Sequence, residues 1–420
     1  MLELQIKPVK PQVAVQVPGS KSYTHRLLIA AALSDGPCRI ANPLRSEDTL
    51  LTLDALQQMG IAVQHREDLI EVKGAGGRLA PCNQPIYLAN AGTSMRLLGG
   101  VVVLGRGRYV LTGSPRMCQR PMQALLDSLQ QIGVDARSQN NNGCPPVIIQ
   151  GGPYLGGRTT IDCSVSSQFL SALLLIAPCL EQGLDIEVSH GPVSRPYVNM
   201  TVDIMQTCGV RLERQDYSRF QVSGGQTYRS GDYRVEPDAS QAGYFWAAAA
   251  VTGSRVKVRG INAGSQQGDV GLAELFGRMG CRVDYDADGI AVTGCDLQAI
   301  EVDMGHMPDV VPTLAVVAAF ARGTTHIRDV SHLRAKECDR LAAVTRELGK
   351  MGIETRTGRD ELIVIGGQPH GAEIETYNDH RIAMSFAVAG LKVPGMIIAD
   401  ERCVDKSFPN FWEVFGELYV

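Results

Sequence analysis

The chain has 420 residues, 44% apolar and 20% charged, with a formal charge of −4. That balance excludes disorder, collagen and low-complexity repeats, and it gives no general attraction to nucleic acid or to an anionic membrane. At roughly 150 residues per domain the length predicts two or three domains. The longest apolar runs, 169–180 and 310–321, are short of the roughly 20 residues a membrane span needs, so no membrane association is expected. The opening MLELQIKPVK has neither a basic region leading into an apolar stretch nor the composition of a transit peptide. Eleven cysteines, with no CxxC, no zinc spacing and no HExxH, read as reduced and mostly buried thiols of a cytoplasmic protein.

Self-similarity organises the chain. A helical stretch, a pivot ending in Gly and then a strand recur as LDALQQMGIAV, LLDSLQQIGVDA, VDIMQTCGVRL, LAELFGRMGCRV and VTRELGKMGIET, with the glycines at 60, 133, 209, 280 and 352. Each of these glycines sits where a helix should end in the left-handed conformation. Out of phase, an apolar helix, a turn and a strand recur with turn glycines at 36, 107, 183, 253, 323 and 395. Six copies of about 70 residues fill the chain. The sixth copy of the first motif is incomplete. Its helix would be FWEVFGELYV at the C-terminus and its strand LELQIKPV at the N-terminus, so both ends should pair in one half. With no nucleotide-binding Gly-rich loop, strand–helix–strand–helix–strand–strand units grouped in threes are expected. They should form two pseudo-symmetric globes joined near 17–19 and 235–238, with a cleft at their interface.

The six apolar helices begin KSYTHRLLIAAAL, NAGTSMRLLGGVVV, SVSSQFLSALLLIA, DASQAGYFWAAAAV, PDVVPTLAVVAAF and NDHRIAMSFAVAG. Each opens on residue types that cap helices, and taken singly Asn90, Asp238 and Ser164 read as caps and nothing more. Lys21, Arg26, Arg96 and Arg381, however, add cations to first turns that already carry the positive end of the helix dipole, and a bound anion is the simplest compensation. The loops supply more basic residues: Arg116 and Arg120, Arg195 beside Ser194 and Tyr197, Arg334, Lys336 and Arg340 around Glu337, and Lys406. The pattern predicts a site for a small substrate carrying phosphate and carboxylate. Asp309 and Glu337 are the candidate proton carriers; the alternatives are a helix cap for Asp309 and an ion pair with Lys336 or Arg340 for Glu337.

PGSKSYTHR at 18–26, NAGTSMR at 90–96, RP at 120–121, SVSSQFLSALLLIAP at 164–178, SRPY at 194–197, PDVVPTLAV at 308–316, LRAKECDRL at 333–341, NDHRIAM at 378–384 and DKSFPNF at 405–411 together resemble the 5-enolpyruvylshikimate-3-phosphate synthase family. The resemblance runs in order over essentially the whole chain. It implies an α/β fold, a two-lobed inside-out α/β barrel of six units, three per lobe. Residues 1–17 plus 237–420 would form lobe one, with the phosphoenolpyruvate-side basic residues and the acid/base carboxylates. Residues 18–236 would form lobe two, with most shikimate 3-phosphate contacts. The implied reaction moves the enolpyruvyl group of phosphoenolpyruvate to the 5-hydroxyl of shikimate 3-phosphate and releases phosphate, in a monomer without metal or organic cofactor.

By the same resemblance, shikimate 3-phosphate would be held by Lys21, Ser22, Arg26, Ser166, Ser167, Gln168, Ser194, Tyr197, Asp309 and Lys336, and phosphoenolpyruvate by Lys21, Gly92, Arg120, Gln168, Arg340, Arg381 and Lys406. Asp309 would take the hydroxyl proton and Glu337 would protonate the methylene carbon. Lys21 and Lys406 would stabilise the intermediate, with His380 assisting. His332 stands where the family commonly has Asn and is set apart from the other contacts; Arg195, Cys338 and Leu97 are further departures. Glyphosate is similar to phosphoenolpyruvate, and the retained Gly92 implies sensitivity to it. The rival UDP-N-acetylglucosamine enolpyruvyl transferase would need a reactive Cys before the second-unit Arg; Cys118 is closer to Arg120 than that spacing. An RNA-end-binding protein would be more basic and richer in clustered aromatics.

Overall fold

The computed structural model describes residues 3–66 and 68–419; Leu2 of the expected N-terminal strand and Val420 of the expected C-terminal helix lie outside them. The chain divides into two compact units, one from Gly19 to Val235, the other made of the residues up to Pro18 together with those from Glu236 onward. Each has its own apolar core.

The unit from Gly19 to Val235 builds three four-stranded sheets with one topology. In spatial order the first is Gly231–Arg234, Pro37–Ala41, Leu69–Lys73 and Ala62–Arg66. The second is Ile86–Tyr87, Gly107–Thr112, Val147–Gly151 and Ala136–Ser138. The third is Gly156–Asp162, Gly183–His190, Arg219–Val222 and Glu213–Gln215. In every sheet the first pairing is parallel and the other two antiparallel. The first sheet takes its edge strand, Gly231–Arg234, from the far end of the unit, so the three repeats close on themselves.

The other unit repeats the plan. Gln12–Val15 supplies the parallel edge beside Arg255–Arg259, Gly289–Thr293 and Arg282–Asp286. A second sheet is formed by Glu301–Asp303, Thr324–Arg328, Glu361–Ile365 and Thr355–Thr357. The third has three strands, Glu373–Ile374, Met396–Ala399 and Glu3–Ile6. Glu3–Ile6 runs antiparallel to Met396–Ala399 and so fills the place of the second hairpin strand of the other repeats. The C-terminal helix Phe411–Gly416 is followed by a 3-10 turn, Glu417–Tyr419, where the other repeats have a strand. The expected α/β architecture of six units, three per half, is present. As expected, both ends join one half, and the N-terminal strand supplies the strand that the sixth unit lacks.

The helices follow from their sequences. Ala239–Thr252 and His380–Gly390 are buried at every residue, as helices apolar all round must be. Helices Gly92–Val101 and Gln168–Ile176 approach so closely that a Cβ on Gly100 would stand 2.7 Å from the carbonyl oxygen of Ala172. The outer helices are amphipathic and share one ending. Glu47–Gln58, Gln123–Gln131, Arg195–Thr207, Gly271–Arg278 and Arg340–Lys350 are each followed by a cap residue and then by Gly60, Gly133, Gly209, Gly280 or Gly352 with φ between +78° and +106°. In all five, the glycine N–H and the next N–H return to carbonyls of the last turn, as with Gly60 to Gln57 and Ile61 to Leu56. Among the turn glycines of the second motif, 107, 183, 253, 323 and 395 have positive φ and Gly36 does not. There the helix leaves through Ser34, which is extended, and Gly36 instead gives room to Ser230, whose Oγ would be 2.8 Å from an added Cβ.

Gly133 tests the ending in isolation, because an added Cβ there meets nothing within 4 Å. Gly133→Ala should cost about 1 kcal/mol from backbone strain alone, read as a lower urea midpoint with an unchanged folded-state circular dichroism spectrum.

Candidate active site

The expected site residues fall into two groups, one per unit. In the unit from Gly19 to Val235, helix Lys21–Leu33 begins with the buried Lys21, whose Nζ donates to Asp48 Oδ2 at 3.2 Å. Asp48 lies in the first turn of helix Glu47–Gln58 and is itself buried. One turn after Lys21, Arg26 is fully buried. Its Nε donates to Thr201 Oγ1 at 2.7 Å, Nη1 to the Ser22 carbonyl at 2.9 Å, and Nη2 to the Tyr197 carbonyl at 3.1 Å and Ser171 Oγ at 3.4 Å. Burial lowers its guanidinium to about 10, still charged at neutral pH. Those bonds use four of its five N–H groups and tie the starts of helices Lys21–Leu33, Gln168–Ile176 and Arg195–Thr207 together.

Arg96 performs a similar task from helix Gly92–Val101. Its Nη1 reaches Ser166 Oγ at 3.2 Å and Gln168 Oε1 at 2.9 Å, while Gln168 Nε2 donates to Thr93 Oγ1 at 3.0 Å. The Gln168 side chain is thereby fixed by both ends. Ser167 Oγ donates to the carbonyl of Ser194, whose φ of 55° turns the chain into helix Arg195–Thr207. Arg120 is buried, and its Nη1 donates to the Asn90 carbonyl at 2.9 Å and to Asn90 Oδ1 at 3.1 Å. The guanidinium lies on Gly92: an added Cβ would be 2.4 Å from Nη2 and 2.7 Å from Cζ.

In the other unit the centre is Asp379, the cap of helix His380–Gly390, fully buried. Its Oδ2 accepts from Arg340 Nε at 2.8 Å, and its Oδ1 from Arg340 Nη2 at 3.2 Å and from the Arg381 backbone N–H at 2.9 Å. Arg340 also donates Nη1 to Asp309 Oδ1 at 3.1 Å and Nη2 to Glu337 Oε2 at 2.9 Å. Burial works against the Arg340 charge, and Asp379, Glu337 and Asp309 outweigh it, so its affinity for the proton is raised. Arg381 donates Nη2 to Asp309 Oδ2 at 2.9 Å and Nη1 to the Tyr244 hydroxyl at 3.0 Å. Lys336 Nζ is 4.0 Å from Asp309 Oδ1, and the buried His380 ring lies 3.9 Å from Asp379 Oδ1. Lys406 is buried at the end of the turn Glu401–Lys406, which is held by Gln241 Nε2 donating to the Ser407 carbonyl at 2.7 Å.

Asp309, Glu337, Lys336, Arg340, Arg381 and His380 are thus one cluster, and Lys21, Ser22, Arg26, Gly92, Arg120, Ser166, Ser167, Gln168, Ser194 and Tyr197 stand at neighbouring helix starts of the other unit. The capping alternatives are resolved individually. Asp238 does cap, accepting from the Gln241 N–H at 3.1 Å. Asn90 holds Arg120 instead, and the exposed Ser164 lies ahead of a helix that begins at Gln168. Asp309 bridges two arginines, and Glu337 makes the Arg340 ion pair. Four residues escaped the sequence reading: Asp379, Asp48, Arg96 as the holder of Gln168, and Tyr244. Asp379 alone had a signal, an acidic residue immediately ahead of His380 and Arg381 at the head of a buried helix. Among the described residues no group of three or more His, Cys, Asp or Glu is placed to hold a metal ion.

The family model for EPSP synthase (3-phosphoshikimate 1-carboxyvinyltransferase) matches residues 5–415. The chain belongs to the EPSP synthase family. It is 44% identical to the 3-phosphoshikimate 1-carboxyvinyltransferase of Methanoculleus marisnigri, over 96% of each chain, and 42% identical to that of Syntrophobacter fumaroxidans, over 98% of each. Among solved structures it is similar to EPSP synthase from Acinetobacter baumannii, with a TM-score of 0.84, 27% identity and coverage of 100% of this chain and 98% of that one. These matches support the shikimate acceptor and not the nucleotide-sugar rival. The fold is shared more widely, as with the enolpyruvyl transferase NikO from Streptomyces tendae, at a TM-score of 0.77 and 21% identity.

Two departures from the family pattern have a structural description. Cys338 donates to Asp379 Oδ2 at 3.5 Å, and burial together with that carboxylate raises its thiol well above the usual range. His332 is buried, and burial first, then Lys336, lowers its imidazole from 6.5 to about 3, so it is neutral at neutral pH. The unfolded chain therefore binds the extra proton between those two values, and folding stability falls as pH drops through that window. His332→Asn should remove this term and move the acid-unfolding midpoint, followed by circular dichroism, to lower pH.

Proposed function

We propose that this chain is a 3-phosphoshikimate 1-carboxyvinyltransferase, transferring the enolpyruvyl group of phosphoenolpyruvate to the 5-hydroxyl of shikimate 3-phosphate with release of phosphate. That is the shikimate-pathway step ahead of chorismate, and it serves aromatic amino acid synthesis. The observation that carries the reading is the set of buried cations Lys21, Arg120, Arg340 and Arg381, three of them in the first turns of helices, in a chain this similar to enzymes of that name. The unit from Gly19 to Val235 would supply most contacts to shikimate 3-phosphate, through Lys21, Ser22, the remaining Nη1 proton of Arg26, Ser166, Ser167, Gln168, Ser194 and Tyr197. Arg120 against Gly92, with Arg340, Arg381 and Lys406, would hold the phosphate and carboxylate of phosphoenolpyruvate. Asp309 and Lys336 would face the acceptor hydroxyls. The enzyme works as a cytoplasmic monomer in this reading; no helix among the described residues is long and apolar enough to cross a membrane.

The chemistry is an addition followed by an elimination. The 5-hydroxyl oxygen bonds to C2 of phosphoenolpyruvate while Asp309 takes its proton. C3 gains a proton from Glu337, giving a tetrahedral intermediate whose charge Lys21 and Lys406 stabilise. The C2–O bond to phosphate then breaks, Asp309 returns its proton to the leaving phosphate, and Glu337 recovers a proton from C3 as the double bond re-forms. His380 stands behind this cluster as an assisting group.

Arg340 explains how Glu337 can serve as the acid. Arg340 Nη2 donates to Glu337 Oε2 at 2.9 Å. An anionic donor substrate that draws Arg340 toward itself weakens that pairing and loosens the carboxylate for its task.

The direct test supplies phosphoenolpyruvate with either shikimate 3-phosphate or UDP-N-acetylglucosamine and measures phosphate release. Turnover with the first acceptor alone supports the reading, and turnover with the nucleotide sugar alone rejects it. Lys21→Ala, Arg120→Ala and Lys406→Ala should each lower kcat/KM by roughly 100-fold or more, the scale of a lost charge-assisted contact in a dry site, with the melting temperature preserved. Gly92→Ala displaces the Arg120 guanidinium and should raise the KM for phosphoenolpyruvate at least about tenfold, leaving the KM for shikimate 3-phosphate near wild type.

A further inference from the structure

One face of helix Arg340–Lys350 grips the segment that leads to Asp379 at three levels. Near its end, Lys350 Nζ donates to the Glu373 carbonyl at 3.3 Å. One turn earlier, Glu347 Oε2 accepts from the Glu375 N–H at 3.0 Å and Glu347 Oε1 from the Tyr377 hydroxyl at 2.6 Å. Two turns before that, Arg340 takes Asp379. The helix and the segment therefore run in opposite directions. Glu347 is fully buried, and Lys350 Nζ lies 2.8 Å from its Oε2.

Between these anchors the chain makes a turn that its own residues resist. The Asp379 N–H returns to the Thr376 carbonyl at 2.8 Å, and both central residues, Tyr377 with φ 55° and Asn378 with φ 51°, are left-handed. Turns of this hand favour Asn, Asp and Gly, and a bulky aromatic at the first central position persists only where its surroundings hold it. The bond from the Tyr377 hydroxyl to Glu347 is such a hold, and the Arg346 guanidinium lies over the ring, 5.9 Å from its centre. Burial first, then Glu347, strengthen the grip of that hydroxyl on its proton, so it stays a donor. Relaxing Tyr377 to negative φ would redirect the chain as it enters Asp379.

We propose that Glu347 and Tyr377 are positioning residues of the reaction: a carboxylate–hydroxyl clamp that holds the left-handed turn and so sets where Asp379 presents Arg340 and Arg381 to phosphoenolpyruvate. The proposal rests on the reading that these two arginines hold that substrate. The clamp acts through Asp379, which accepts from Arg340 Nε at 2.8 Å, from Arg340 Nη2 at 3.2 Å and from the Arg381 N–H at 2.9 Å. A displaced Asp379 moves both arginines together. Most of the contacts expected for shikimate 3-phosphate belong to the unit from Gly19 to Val235, which the clamp does not touch. Its loss therefore bears on one substrate far more than on the other.

The experiment measures kcat and both KM values for wild type, Tyr377→Phe, Glu347→Ala and Glu347→Gln. Tyr377→Phe should raise the KM for phosphoenolpyruvate at least about fivefold, the scale of one lost hydrogen bond, and leave the KM for shikimate 3-phosphate within about twofold of wild type. Glu347→Ala should raise the first value further. Glu347→Gln, whose amide can accept from the Glu375 N–H and donate to the Tyr377 oxygen, should lie closer to wild type than Glu347→Ala. Two KM values that stay unchanged or change alike, even with a lower kcat or melting temperature, would reduce the pair to packing and overturn the proposal. Should Glu347→Ala fail to fold, Tyr377→Phe decides by the same criterion. Amide hydrogen exchange needs no turnover. In Tyr377→Phe it should quicken over residues 375–381 while the rest of the chain keeps wild-type protection, and unchanged exchange there overturns the proposal whatever the kinetics. Absence of any wild-type turnover, by contrast, would refute the functional reading and leave the exchange measurement to decide for the clamp.

Discussion

One buried carboxylate makes the cationic half of the site possible. Asp379 sits at the positive end of helix His380–Gly390, takes both arms of Arg340 and receives the Arg381 backbone N–H. A fully buried guanidinium without such a partner would carry a desolvation cost of several kcal/mol. With it, Arg340 keeps its charge and presents its remaining edge to Asp309 and Glu337. Asp309 then serves two arginines at once, which fixes the orientation of both its oxygens. Asp309 and Glu337, the carboxylates of the proposed proton transfers, are therefore both held by Arg340.

The unit from Gly19 to Val235 solves the same electrostatic problem with less formal charge. Lys21 has Asp48, but Arg26 is satisfied mainly by hydroxyls and carbonyls, and Arg96 by Ser166 and the Gln168 amide. Neutral acceptors satisfy the N–H groups without cancelling the charge, so a net positive field persists at these helix starts. In the proposed reading such a field serves a phosphate, and the carboxylates of the other unit serve proton transfer.

The repeats were legible because their punctuation is local. A glycine one residue beyond a helix cap satisfies two carbonyls by a left-handed turn that other residues resist, and five such glycines recur in the sequence. Gly36 broke the rule because the need it meets, space for Ser230, lies nearly two hundred residues away in the chain. The site was legible only in part. Lys21 and Arg381 stand out as cations at helix starts and Arg120 and Arg340 as basic loop residues, whereas Asp48 and Tyr244 look like ordinary surface or core residues until their partners are known. Asn90 and Asp309 read equally well as caps, because a cap and a guanidinium holder use the same side-chain oxygens.

By itself the sequence determined the six units, their helix endings, the buried apolar helices and the family, since each depends on residue type and spacing along the chain. Only the tertiary structure decided which carboxylate meets which arginine, that Asp379 is the hub, and that Gly92 is small because Arg120 rests on it. Those outcomes depend on distances between residues tens of positions apart, and burial makes them matter: a charge removed from water must find its partner wherever the fold has placed one.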